Sequence, residues 1–90
     1  MTEGKFALGQ TVSTRNAVDT LNPEDALLAL RRHTSGDWGD CCPEDWQSNE
    51  EALRDGERLF SVYHDRNGVK FWIITEWDRS VTTVLLPEDY

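Results

Sequence analysis

The side chains best suited to chemistry gather early in the chain. His33, Asp37, Asp40, Cys41 and Cys42 fall within ten positions. Either thiol would serve as a nucleophile if His33 or His64 took its proton and Asp37 or Asp40 oriented the ring. Cys42 also stands just before a helix start, a position that favours the thiolate. No glycine-framed elbow or oxyanion loop accompanies either cysteine, so structural thiols are the plainer reading. The same groups suggest a metal, but paired zinc ligands usually sit two to four residues apart so that one loop turns both inward. Adjacent cysteines cannot easily do that. The acids around Trp38 also lack the alternating oxygens and closing Glu of a calcium loop. Neither a metal nor another cofactor is expected. A disulfide between neighbouring residues is strained and rare, so two free thiols are expected.

A second cluster lies near the end of the chain: Thr75, Glu76, Asp78, Arg79, Ser80, Thr82 and Thr83. An arginine among hydroxyls can grip a phosphate. Ordinary turn chemistry explains the same residues, with Asp78 and Ser80 bonding the backbone and threonine chosen for strand propensity.

Charge is the strongest compositional signal. Seventeen acids against nine Lys and Arg give a formal net charge of −8, which opposes direct binding to nucleic acid or to an anionic membrane. The charge is concentrated. Asp37, Asp40, Glu44, Asp45, Glu50, Glu51, Asp55 and Glu57 face only Arg54, so residues 37–57 carry −7 of the total. Such a stretch is either a solubilising surface or a docking face for a partner with a basic surface. In the docking reading the contact residues are Asp37, Trp38, Asp40, Glu44, Asp45, Trp46, Glu50 and Glu51, with the two tryptophans as aromatic anchors. If the carboxylates imitate phosphates, the partner's groove would be one that normally takes DNA.

The elements that must position these groups follow from pattern. Ninety residues make one domain, 1–90. Phe6, Leu8 and Val12 predict a short strand or extended arm over Lys5–Val12, and Thr14 caps a short helical turn reaching Leu21. Asn22-Pro23-Glu24-Asp25 is a helix start with a cap, a proline at the first position and two acids. That helix is predicted over Pro23–His33, with Arg31, Arg32 and His33 as positive or potentially positive groups at its negative end. A glycine-framed loop holds Trp38, and a second helix is predicted over Pro43–Asp55, stopped by Gly56. Leu59–His64, Val69–Thr75 and Val81–Leu86 then read as strands. Asn67-Gly68 marks a hairpin between the first two, and a short turn joins the last two. The expected fold is α+β: two or three N-terminal helices packed on a C-terminal three-stranded antiparallel meander, with a possible added N-terminal strand. Both faces of the meander look partly apolar, so a homodimer through the sheet around Trp72 and Trp77 is a further expectation. No apolar run is long enough to cross a bilayer and the first residues do not read as a secretory signal, so a cytoplasmic location is expected.

The run from Trp72 to Tyr90, WIITEWDRSVTTVLLPEDY, together with His33–Gly39 and Gly56–Leu59, resembles a family of small uncharacterised bacterial, plasmid and phage proteins. The resemblance implies a mobile-element setting and no defined activity. A looser resemblance, of architecture, is to the barnase, colicin and RelE-like ribonuclease group. It implies His33 as general acid or base, Arg79 as phosphate ligand and Thr82 or Thr83 as a transition-state donor.

Overall fold

In a computed structural model, which describes residues 4–90, the chain runs β1 (Gln10–Ser13), α1 (Arg15–Thr20), α2 (Pro23–Thr34), α3 (Pro43–Asp55), β2 (Leu59–His64), β3 (Lys70–Thr75) and β4 (Val81–Leu85). A 3-10 turn, Pro87–Asp89, closes it. The strands form one sheet in the order β1-β4-β3-β2. β2, β3 and β4 are the expected antiparallel meander. β1 joins it parallel to β4, so the fold is α+β with a mixed sheet, and the three helices lie within the connection between β1 and the meander.

Local chemistry explains the boundaries. Asn22 Oδ1 accepts the amides of Glu24 and Asp25, and Pro23 opens α2. α3 starts at Pro43 and stops where Gly56 turns left-handed at φ 73°. The β2–β3 hairpin is organised by Asp65. Its carboxylate accepts the amides of Asn67 and Val69 within the turn and that of Asn22 at the α2 cap. Burial works against ionisation of Asp65, but these backbone N–H groups more than offset it and hold its pKa below the usual carboxylate value.

The N-terminal arm differs from its sequence expectation. Only Gln10–Ser13 pairs as a strand, because Gly9 breaks the arm at φ 65° with its Cα against the Arg79 and Ser80 carbonyls, where no Cβ would fit. Phe6 and Leu8 therefore turn away from the ladder. Phe6 packs on the rings of His33 and Trp38.

The meander's two faces also resolve. Leu59, Ser61, Tyr63, Phe71, Ile73, Thr75, Thr82 and Val84 point to the helical side and are all but inaccessible. Tyr63, Phe71, Ile73 and Val84 meet Ala17 of α1, Leu21 just after it and Ala29 of α2 there in the main core. Phe60, Val62, Trp72, Ile74, Thr83 and Leu85 alternate onto the other face, where Val62, Ile74 and Leu85 are buried and Phe60, Trp72 and Thr83 stay half-buried. Phe60, Trp72 and Tyr90 pack edge to face across it.

The two edges of the sheet are unlike. Along β2, Asn49 of α3 acts as a substitute strand, its side chain accepting from the Phe60 amide and donating to the Phe60 carbonyl. The segment 38–40 does the same for Val62, whose amide donates to the Trp38 carbonyl and whose carbonyl accepts from the Asp40 amide. β1, at the opposite edge, is exposed at all four residues.

Candidate functional site

Once folded, the acidic stretch divides. Asp37 pairs with Arg32 at 2.8 Å, and the Arg32 hydrogen bond holds its pKa down. Asp40 meets His64 Nδ1 at 2.8 Å. Glu50 accepts the indole N–H of Trp38 at 2.7 Å. Trp38 itself is 0% exposed, enclosed with Ala52 and Leu59 and flanked by Phe6, Cys41 and Leu53. Its role as a surface anchor is therefore corrected. The loop turns it inward because Gly39, at φ 74°, lets the backbone cross against Val62, where a Cβ would collide with the Val62 carbonyl. What stays outward is on α3. Glu44, Asp45 and Glu51 are exposed and, among the described residues, in no ion pair, and Trp46 of the same helix is 36% exposed. The inner side of α3 carries Asn49 and Ala52, so helical spacing turns Glu44, Ser48, Glu51 and Asp55 away from the body.

The residues of the ribonuclease-like reading fold into a different arrangement. His33 is fully buried, with Nδ1 2.6 Å from Ser61 Oγ and Nε2 2.9 Å from Thr75 Oγ1. Thr75 Oγ1 lies 2.7 Å from Thr82 Oγ1, which donates to the Leu8 carbonyl at 2.7 Å. A carbonyl can only accept, and each hydroxyl has one proton. The polarity of the chain is thereby determined as far as the ring: Thr82 donates to Leu8, Thr75 to Thr82, and His33 Nε2–H to Thr75. With burial keeping the ring neutral, Ser61 donates to His33 Nδ1. His33 is the neutral Nε2–H tautomer, and burial, aided by the charge of Arg79, pulls its pKa down to about 3. It is neither a general base open to substrate nor the helix-end cation expected for α2. The network ties the N-terminal arm, α2 and the three strands of the meander together.

Arg79 is likewise occupied. Its guanidinium donates to the carbonyls of Ala52, Glu57 and Glu76, which fixes the β3–β4 turn to the C-terminal end of α3, where a cation is favoured. Arg79 adopts φ 61°, unusual for a non-glycine residue, and its three carbonyl bonds hold it there. Arg79→Ala is expected to cost about 1–3 kcal/mol, measured by urea denaturation, with Arg79→Lys recovering part of it. Thr83 lies on the outer face of the sheet, away from Thr82, so His33, Arg79, Thr82 and Thr83 do not converge on one accessible site.

The cysteines do not assemble a nucleophile. Cys41 Sγ rests 3.5 Å from the Phe60 carbonyl and 3.9 Å from Asn49 Nδ2, and burial pushes its thiol pKa up. Among the described residues, no three His, Cys, Asp or Glu side chains converge as a metal set, and no helix is long and apolar enough to cross a membrane.

One feature escapes motif reading. On the outer sheet face, Arg58, Phe60, Trp72, Ile74 and Tyr90 line a cleft of about 320 Å³, and the Arg58 guanidinium donates to the Tyr90 hydroxyl at 2.9 Å. The signal in the sequence is the alternation of Phe60, Trp72 and Ile74 with inward residues, which makes both faces of the meander look partly apolar. Tyr90 reaches the cleft through the Pro87–Asp89 turn, itself anchored by Asp89 accepting from Thr14 and Asn16.

Compared with known proteins, the chain matches no family model, no curated protein and no solved structure.

Proposed function

We propose that this chain is a non-catalytic binding domain that docks a partner with a basic surface through the outward face of α3. The observation that supports this reading is what remains after internal pairing. Asp37, Asp40 and Glu50 are engaged within the molecule, while Glu44, Asp45 and Glu51 are exposed on α3 outside any ion pair among the described residues, and the same helix exposes part of Trp46 on another side. Opposite charge on the partner would speed encounter, and a partly exposed indole would supply the apolar contact. A protein with a nucleic-acid groove presents the matching array of Lys and Arg, so an inhibitor or DNA-mimic role in a mobile-element setting is the form this docking would take.

The test is affinity capture from lysate in low and in high salt, with wild-type protein and with Glu44→Lys/Glu51→Lys. The expected result is a partner retained at low salt, weakened at least tenfold by the double reversal and released by high salt. Capture indifferent to both salt and charge reversal would refute the reading. Glu50→Lys is the wrong probe, because it also disturbs the Trp38 hydrogen bond.

A further inference from the structure

We propose that β1 is a self-pairing edge, through which two copies of this chain join antiparallel into one continuous sheet. The argument starts from hydrogen-bonding valence. In the parallel ladder with β4, the Gln10 amide donates to Ser80 and the Thr14 amide to Val84, so the even-numbered residues of β1 face inward. Thr11 and Ser13 turn their N–H and C=O groups outward, where no backbone group among the described residues takes them up. The β2 edge carries the same kind of outward groups and is sealed by Asn49 and by the 38–40 segment. β1 has no such cover. It also lacks the lysine, proline or bulge with which natural edges discourage pairing.

The occupant that fits is a second copy, because this edge is self-complementary. Set antiparallel about Val12, Thr11 of each chain faces Ser13 of the other. Each such pair exchanges two backbone hydrogen bonds, which satisfies every outward group of both residues. Val12 then sits on the two-fold axis opposite its own copy, in a position without hydrogen bonds where cross-strand side chains come closest. Val12 is 37% exposed and shares the outer face with Thr83, Ile74 and Phe60, its neighbours across successive strands. The join therefore continues that row into the second molecule. Gly9 and the Thr14 cap hold the strand in place at both ends.

Charge also selects this partner. β1 contains no charged residue and offers nothing to a basic surface. α3 packs beside β2, the far edge of the sheet. With strands about 4.8 Å apart, the two acidic faces of the dimer stand roughly 34 Å from each other, well beyond a Debye length of about 8–10 Å. Their repulsion is thus screened, and the proposal stands apart from the docking role of α3.

A short edge buries less than a standard interface, so the expected dimer is weak. Sedimentation equilibrium from about 10 µM to about 1 mM should show the average mass rising from 10.3 kDa towards twice that value. Val12→Lys places two ammonium groups on the axis. Ser13→Pro deletes an outward amide, a change that edge strands tolerate. Each is expected to raise the dimer Kd at least tenfold while leaving the circular dichroism spectrum and Tm close to wild type. Should one variant misfold, the other reads the same contact. A strictly monomeric profile at the highest concentration overturns the proposal. So does a dimer that survives both changes but is lost in Trp72→Lys, which would place the contact on the outer sheet face.

Discussion

Acid destabilisation of this protein is expected to begin near pH 6, well above the carboxylate range, because His33 can take a proton only by leaving the core. Its pKa is about 3 in the folded chain and about 6.5 when unfolded. Between those values the unfolded state binds the proton that the folded state refuses, so stability falls as pH falls. Above pH 6.5 the penalty vanishes. At pH 5 it is about 2 kcal/mol, and near pH 3 it is on the order of 4–5 kcal/mol, a large fraction of the roughly 5–15 kcal/mol that holds a domain together. The carboxylates act later and in the same sense. Hydrogen bonds from Arg66, Arg32 and Thr14 hold Asp25, Asp37 and Asp89 below their usual pKa, so their contribution is present above about pH 4 and lost as pH falls further. Urea midpoints measured from pH 8 to pH 4 should show a decline from about pH 6 that His33→Gln flattens, even though the variant starts less stable at pH 8. An equal decline in both proteins would exclude His33 as the cause.

Replacing Trp38 by alanine is expected to be the most damaging single change, at about 3–5 kcal/mol. The ring is fully buried, lies nearly parallel to Phe6 with centroids 6.2 Å apart, and meets His33 edge-on at 5.6 Å. It also holds the Glu50 carboxylate, so its loss opens a cavity and removes a charge-assisted hydrogen bond together. In a domain of this size that corresponds to a fall in Tm of roughly 15–30 °C. If Trp38→Ala does not fold at all, Trp38→Phe keeps most of the packing and loses only the Glu50 bond, at about 1–2 kcal/mol. Thermal melts of both, set beside Trp46→Ala, make the contrast. Trp46 is partly exposed at the start of α3, so its truncation should leave Tm within about 3 °C while weakening partner capture. A Trp38→Ala protein as stable as wild type would show that the loop does not bury this ring.

Much of the architecture was legible because punctuation residues act locally. Pro43 and Gly56 bound α3, Asn22 and Pro23 open α2, and Asn67-Gly68 turns the hairpin, each through its own backbone geometry. The N-terminal strand is present but shorter than the arm its three apolar residues suggest, because Gly9 bends for a tertiary reason, the approach of the Ser80 carbonyl. His33 was misread for a related cause. Near a helix end its charge looks useful, yet its face of α2 is the one that packs on the sheet. The hydroxyls that receive it did leave a trace, since Ser61, Thr75 and Thr82 occupy the inward positions of apolar strands, where a polar residue implies a buried partner. For Trp38 the only trace is the pair of glycines framing its loop, which suggests a ring pinned against the body, because a loop has no periodicity from which direction can be read.

The amino-acid sequence by itself determined the elements, their order, the antiparallel meander and the concentration of negative charge in residues 37–57, since propensity, capping and charge are properties of neighbours along the chain. Only the tertiary structure decided which of those charges remain uncompensated, that His33 is a neutral core residue, that Arg79 binds carbonyls, and that one sheet edge is sealed while the other is open. Each of these depends on groups brought together from distant positions, and burial, which sets both pKa and availability, exists only once they have met.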